Sequence, residues 1–212
     1  MHRTRVKICG VTRVEDALLA CALGADAIGM VMTPTSPRCV SVEHARSIRD
    51  ALPAFVDAVV LTHDLPAERV RAIIDGVGPD LVQFHGLEDA AFCAAFGVRY
   101  LKALGMAGDL DVRAIAAEHA HAAGLVLDGH PPGQQGGQGK TFDWSRIPKD
   151  LARPVILAGG LNPGNVRDAI RAVRPWAVDL ASGVESSPGI KDPVKLRAFF
   201  AAVHAADAEA SP

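Results

Sequence analysis

Along this chain, short apolar runs alternate with longer segments in which apolar positions recur three or four residues apart. The runs cover 5–9, 27–32, 55–61, 80–84, 99–103, 124–128, 154–158 and 177–180, each bounded by Gly, Pro, Asp or other polar residues. They are apolar at successive positions rather than at every second one, which predicts parallel strands covered on both faces. The intervening segments 14–23, 41–51, 66–75, 88–96, 110–121, 163–173 and 193–205 read as helices, with a short helical piece at 143–147. Thr12 and Glu15 have capping-box spacing at the first of these, and Pro66, Pro163 and Pro193 suit first turns. Eight strands in strict alternation with helices predict an α/β fold, a (β/α)8 TIM barrel, against an open doubly wound sheet as the competing architecture. One domain is expected over residues 1–212, with a frayed tail after about 205.

Composition narrows the class. The chain has 212 residues, 49% of them hydrophobic, and its 22 basic and 24 acidic side chains leave a formal net charge of −2. A broadly basic face for nucleic acid is not expected at that balance. No stretch approaches the ~20 apolar residues of a membrane span, and the Met1 to Arg5 start leads into too few apolar residues for a signal-peptide core. Cys9, Cys21, Cys39 and Cys93 are scattered without CxxC spacing, so no disulfide framework and no metal site is expected. Cys21 and Cys93 read as small core residues, and Cys39 is given no role. A cytoplasmic protein with free thiols follows as the expectation.

In a barrel of this kind, chemistry collects at the carboxyl ends of the strands and in the loops after them. Cys9 ends the first run, Arg38 follows the second, and Gln83 and His85 close the fourth. Asp128 ends the sixth, Gly159 and Gly160 follow the seventh, and Asp179, Ser182 and Gly183 lie in and after the eighth. Two glycine turns in successive loops predict a phosphate site, because glycine lets backbone N–H groups approach oxygens without a clashing Cβ. Asp128, after Leu125 to Leu127, is costly to bury unless paired or used. A thiolate base at Cys9 facing a carboxylic acid at Asp128 suits paired proton transfers, provided the pKa of Asp128 is raised. Lys7 shares its facing with Cys9, which does not by itself establish contact. Arg38 at the mouth suits a carboxylate held bidentately. His85 and Gln83 are divided evenly between binding and structural hydrogen bonding, and Asp179 between sugar hydroxyls and support of the last loop. His63 is read as a solvated loop histidine. The segment 136–141 has P-loop flavour but carries Gln134 where that motif needs glycine, so 129–142 reads as an active-site loop able to close.

In order along the chain, Val6 to Thr12, Gly24 to Gly29, Ser36-Pro37-Arg38, Val82 to Gly86, Leu127-Asp128, Gly136 to Trp144, Ala158 to Pro163 and Val178 to Glu185 resemble the phosphoribosylanthranilate isomerase family of tryptophan biosynthesis. The resemblance spans residue 6 to about 197 and rests on the ordered set. It implies a cofactor-free Amadori rearrangement of a small phosphorylated substrate. Asp128 matches the general acid, Cys9 the general base and Arg38 the holder of the anthranilate carboxylate. The turns at Gly159-Gly160 and Ser182-Gly183 match the phosphate cradle. Gln83, His85 and Asp179 are expected to touch substrate, and a monomer is the expected state. The chain departs from the family pattern at Met30, Met32, Thr62, His63 and Ala181, which puts the shape of the aromatic pocket in question. Two other readings are a bifunctional sugar isomerase that also takes the histidine-pathway substrate, whose relatives carry Asp where Cys9 stands, and a catalytically silent phosphate-ligand binding barrel.

Overall fold

The computed structural model describes residues 3–131 and 141–209. Eight parallel strands close on themselves in chain order: β1 (Arg5–Ile8), β2 (Ala27–Val31), β3 (Asp57–Thr62), β4 (Leu81–Phe84), β5 (Tyr100–Gly105), β6 (Gly124–Asp128), β7 (Val155–Leu157) and β8 (Ala177–Leu180). β8 pairs back onto β1 with Lys7 opposite Asp179, which completes the ring. Helices α1 (Val14–Leu23), α2 (Val42–Ala51), α3 (Ala67–Val77), α4 (Ala90–Ala94), α5 (Val112–Glu118), α6 (Val166–Val173) and α7 (Pro193–Glu209) form the outer shell. Between β6 and β7 the helical element is a 3₁₀ turn, Trp144–Arg146, capped by the Asp143 side chain. The closed barrel excludes the open sheet.

Strand alternation divides the apolar residues in two. Val59, Leu81, Leu101, Ala103, Val126, Ile156, Ala158 and Ala177 pack together inside the barrel. Ile8, Ile28, Met30, Val60, Phe84, Leu125, Leu127 and Val178 pack outward against the helices. Met30 and Met32 belong to this outer layer, so the departures there do not shape the cavity; Val31 does.

Several boundaries differ from the sequence expectation for local reasons. The Thr12 and Glu15 capping box is not formed: Thr12 Oγ1 donates to the Gly189 carbonyl at 2.7 Å, and Arg13 occupies the cap position of α1. Pro163 precedes α6 by three residues, because Asn162 and Asn165 bond to each other and to the Gly160 carbonyl before the helix starts. Phe55 is fully exposed in a left-handed turn rather than opening β3. α7 runs past residue 205 to Glu209, burying Ala206, and Asp207 accepts from the Thr4 backbone and hydroxyl. A two-stranded hairpin, β9 (Glu185–Ser187) with β10 (Ile190–Lys191), was not expected at all. Cys21 is half-buried rather than core, and all four thiols are free. No helix among the described residues is long and apolar enough to cross a membrane. Residues 132–140 of the expected 129–142 loop lie outside the described residues, and with them its closure and most of the glycine-rich stretch.

A buried ion pair ties the loops after β3 and β4 together. Lys102 Nζ donates to Glu88 at 3.0 Å and to the Gly86 carbonyl at 2.9 Å, while Glu88 accepts from the backbone of Asp64 and Gly86. Lys102→Met leaves a carboxylate buried without its cation, which costs about 3–5 kcal/mol. Urea unfolding is expected to show that loss; a change under ~1 kcal/mol, the size of an ordinary substitution, would mean that the pair is not what holds these loops.

Candidate active site

The carboxyl ends of the strands surround a cavity of about 740 Å³, counted to its open mouth. Its wall includes Cys9, Arg38, Gln83, His85, Asp128, Gly159, Gly160, Asp179 and Ser182, so nine of the ten expected site residues meet in one place. The tenth, Gly183, stands one step back. A Cβ there would collide with the Leu161 carbonyl, so its role is to let the two glycine loops pack against each other.

Cys9 follows β1, and its backbone N–H donates to the Leu180 carbonyl at 2.8 Å, which anchors it to β8. Gly29 on β2 makes the room for its sulfur: a Cβ at that position would lie 2.9 Å from Sγ and 3.1 Å from Lys7 Cε. Lys7, one inward position earlier on β1, donates to Asp179 at 2.8 Å, and both side chains are buried. Burial pushes the Cys9 thiol up; Lys7 and Lys191 pull it down without reversing the shift. Burial thus favours the protonated thiol at Cys9, a question that the sequence alone leaves open. Burial acting alone would lower Lys7, but Asp179 and Cys9 beside it outweigh that and hold it raised and charged.

Asp128 ends β6 on the opposite part of the rim. Burial raises its pKa, and His130 nearby together with the backbone N–H groups of Gly129 and His130 offsets this only in part. The expected raised carboxyl is present. His85 is held neutral, its pKa pushed well down first by burial and then by His130. Gln83 Nε2 donates to His85 Nδ1 at 3.1 Å, and His85 Nε2 lies 2.8 Å from His130 Nε2. His63 is not solvated; its side chain is largely covered and lines the cavity.

Arg38 is not free to spend both edges of its guanidinium on a ligand. Its Nε and Nη2 donate to Glu185 at 2.9 and 2.7 Å, leaving the Nη1 side for anything in the cavity. Glu185 accepts as well from Lys191 Nζ at 2.8 Å, and the same Nζ donates to the Cys9 carbonyl at 2.6 Å. An ionic chain thus runs from Arg38 through Glu185 and Lys191 to the backbone of Cys9. Asp179 uses one oxygen on Lys7, while Oδ1 is buried without a partner. Gly159 and Gly160 adopt φ of +82° and +66°, which only glycine takes without strain, and Gly159 packs against Gly129 and Asp128 where a Cβ would not fit.

Sequence reasoning missed Lys191, Glu185 and His130, and set Lys7 aside. For Lys7 the signal was its two-residue spacing from Cys9. For Glu185 and Lys191 it was Pro188-Gly189 between two short extended segments, the mark of a hairpin.

Known proteins share this sequence pattern and this barrel. Residues 6–202 match the family model described as N-(5'phosphoribosyl)anthranilate (PRA) isomerase. The chain is 47% identical over 213 residues to the N-(5'-phosphoribosyl)anthranilate isomerase of Xanthomonas oryzae pv. oryzae (strain PXO99A), covering 98% of this chain and 96% of the relative. Among solved structures it is similar to phosphoribosyl anthranilate isomerase from Thermus thermophilus, with a TM-score of 0.86, 41% identity, and 95% of this chain and 99% of the other covered. It is also similar to a phosphoribosyl anthranilate isomerase in complex with reduced 1-(o-carboxyphenylamino)-1-deoxyribulose 5-phosphate, with a TM-score of 0.84, 37% identity and coverage of 95% and 99%. A closed eight-stranded barrel with a thiol and a raised carboxyl on one cavity, matched along almost its whole length, therefore belongs to the N-(5'-phosphoribosyl)anthranilate isomerase family.

Proposed function

We propose that this chain converts N-(5-phosphoribosyl)anthranilate to 1-(2-carboxyphenylamino)-1-deoxyribulose 5-phosphate, an Amadori rearrangement in tryptophan biosynthesis, with Asp128 as general acid and Cys9 as general base. The observation that carries the reading is the placing of these two residues on one cavity that Arg38 and both glycine loops also line. Asp128, whose neutral acid form burial favours, gives its proton to the furanose ring oxygen, and the ring opens to a Schiff base. Cys9, having lost its proton, takes the C2′ proton, and the resulting enolamine tautomerises to the ketone. The thiolate is the costly species here, and the two ammonium groups at Lys7 and Lys191 are what favour it. The free Nη1 side of Arg38 takes the anthranilate carboxylate, the unpartnered Asp179 Oδ1 and the Gln83–His85 pair meet the sugar, and the turns at Gly159-Gly160 and Ser182-Gly183 take the phosphate. No cofactor enters these steps. Four free thiols support a cytoplasmic enzyme.

Loss of substrate fluorescence in purified protein is the direct assay, with the histidine-pathway substrate run alongside. Asp128→Asn keeps the shape without the transferable proton and is expected to cost at least about 100-fold in kcat. Cys9→Ala is expected to abolish turnover while affinity for the reduced product stays within a few-fold. If Cys9→Ala turns over normally, the acid–base assignment fails; if wild type binds the product but never turns over, the silent-binder reading replaces it.

The reactive form carries one proton on Asp128 and none on Cys9, so kcat/KM is expected to be bell-shaped in pH. Activity rises as the doubly protonated site loses its first proton, through the raised Asp128, so the acid limb lies above the ordinary carboxylate range. It falls when the last proton is lost, through the raised Cys9, so the alkaline limb lies above the ordinary thiol range. Lys7→Met removes a cation that favours the thiolate, and the alkaline limb is expected to move further up. A limb that stays in place or moves down would show that Lys7 does not act on Cys9.

A further inference from the structure

We propose that His85, Asp128 and His130 form a binding site for one transition-metal ion of the zinc class. One nitrogen of each ring and a carboxylate oxygen lie within 4.8 Å of one another. Two imidazoles and one carboxylate form the donor set of three-ligand zinc sites with an open fourth position, and such nitrogen-rich sets select zinc, cobalt or nickel over calcium or magnesium.

Three features say that this convergence is built. β5 ends at Gly105, where a Cβ would run into the Pro131 backbone and the His130 carbonyl. That missing side chain lets the segment after β6 fold over β5, held by Ala107 N–H donating to the His130 carbonyl at 3.1 Å, and so reach His85 at the end of β4. His130 Nδ1 lies 2.7 Å from the Pro131 carbonyl, which can only accept; Nδ1 therefore carries the hydrogen and Nε2 presents its lone pair. A ligating histidine almost always has its second nitrogen tied in this way. For His85 the equivalent partner is Gln83, whose Oε1 is buried without a hydrogen bond. In the free protein the proton between the two Nε2 atoms sits on His85. With metal bound, that proton moves to His85 Nδ1, the Gln83 amide turns to accept it, and both Nε2 lone pairs face the ion, with no net change in ring protonation.

Occupancy withdraws the Asp128 carboxylate, so metal inhibits turnover; this consequence alone rests on the acid role proposed above. The test is Co²⁺ titration of the full chain, read by its visible d–d bands, followed by Zn²⁺ inhibition expressed against each protein's own metal-free rate. Expected are one strongly absorbing low-coordinate Co²⁺ per chain, displaced by Zn²⁺, and two paramagnetically shifted exchangeable imidazole N–H signals from the wild-type protein. His130→Asn is expected to weaken binding by more than the roughly 10- to 100-fold that loss of a supporting partner costs, and to relieve inhibition in parallel. A wild-type protein showing only weak octahedral Co²⁺ or no shifted imidazole signals overturns the site, as does a His130→Asn variant that binds equally well. Binding in the wild type without inhibition supports the site and overturns Asp128 as the acid.

Discussion

The structure depends on the two-residue alternation of eight parallel strands in a closed ring. Each strand can present only every second side chain to the interior, and the register between strands decides which of those sit level with one another. Lys7 and Asp179, opposite each other across the β1–β8 seam, are a buried charged pair inside the barrel. Two residues further along β1 the same facing yields Cys9, and one alternation beyond Gln83 yields His85. The chemistry at the rim is therefore a continuation of the core, and the groups that set its electrostatics lie directly beneath it.

Burial favours the neutral form of both Asp128 and Cys9, which has opposite consequences for the two roles proposed above. For Asp128 it stabilises the neutral acid, which is the form able to donate. For Cys9 it stabilises the thiol, which is the form unable to accept. The protein compensates on one side only, with Lys7 below the sulfur and Lys191 behind its backbone carbonyl. Lys191 in turn is held by Glu185, which is shared with Arg38, so the guanidinium on the cavity wall and the ammonium behind Cys9 draw on a single anion.

Most of the architecture was legible because doubly covered strands leave unbroken apolar runs; 124–128 and 177–180 agree with β6 and β8 residue for residue. The misreadings were local contests between partners. Thr12 looked like a helix cap and bonded instead to Gly189, far away in sequence. Pro163 looked like a first turn, but the two asparagines on either side of it satisfied each other first. In the cavity, residue types at strand ends were readable, whereas pairings were not. That Arg38 shares its fork with Glu185, or that His130 reaches His85, follows from where a hairpin and a glycine-ended strand put the backbone, and neither leaves a periodic trace.

Contacts between residues far apart in sequence close the ring: Thr4 with Asp207, Lys7 with Asp179, and Cys9 with Lys191. During synthesis, Asp179 leaves the ribosome 172 residues after Lys7, and Lys191 leaves it 182 residues after Cys9. A nascent barrel lacking β8, the hairpin and α7 thus has its sulfur but neither the ammonium behind it nor the carboxylate beneath it. The surroundings of the sulfur are completed only with ring closure, a pairing across a long stretch of sequence of the kind that folds slowly.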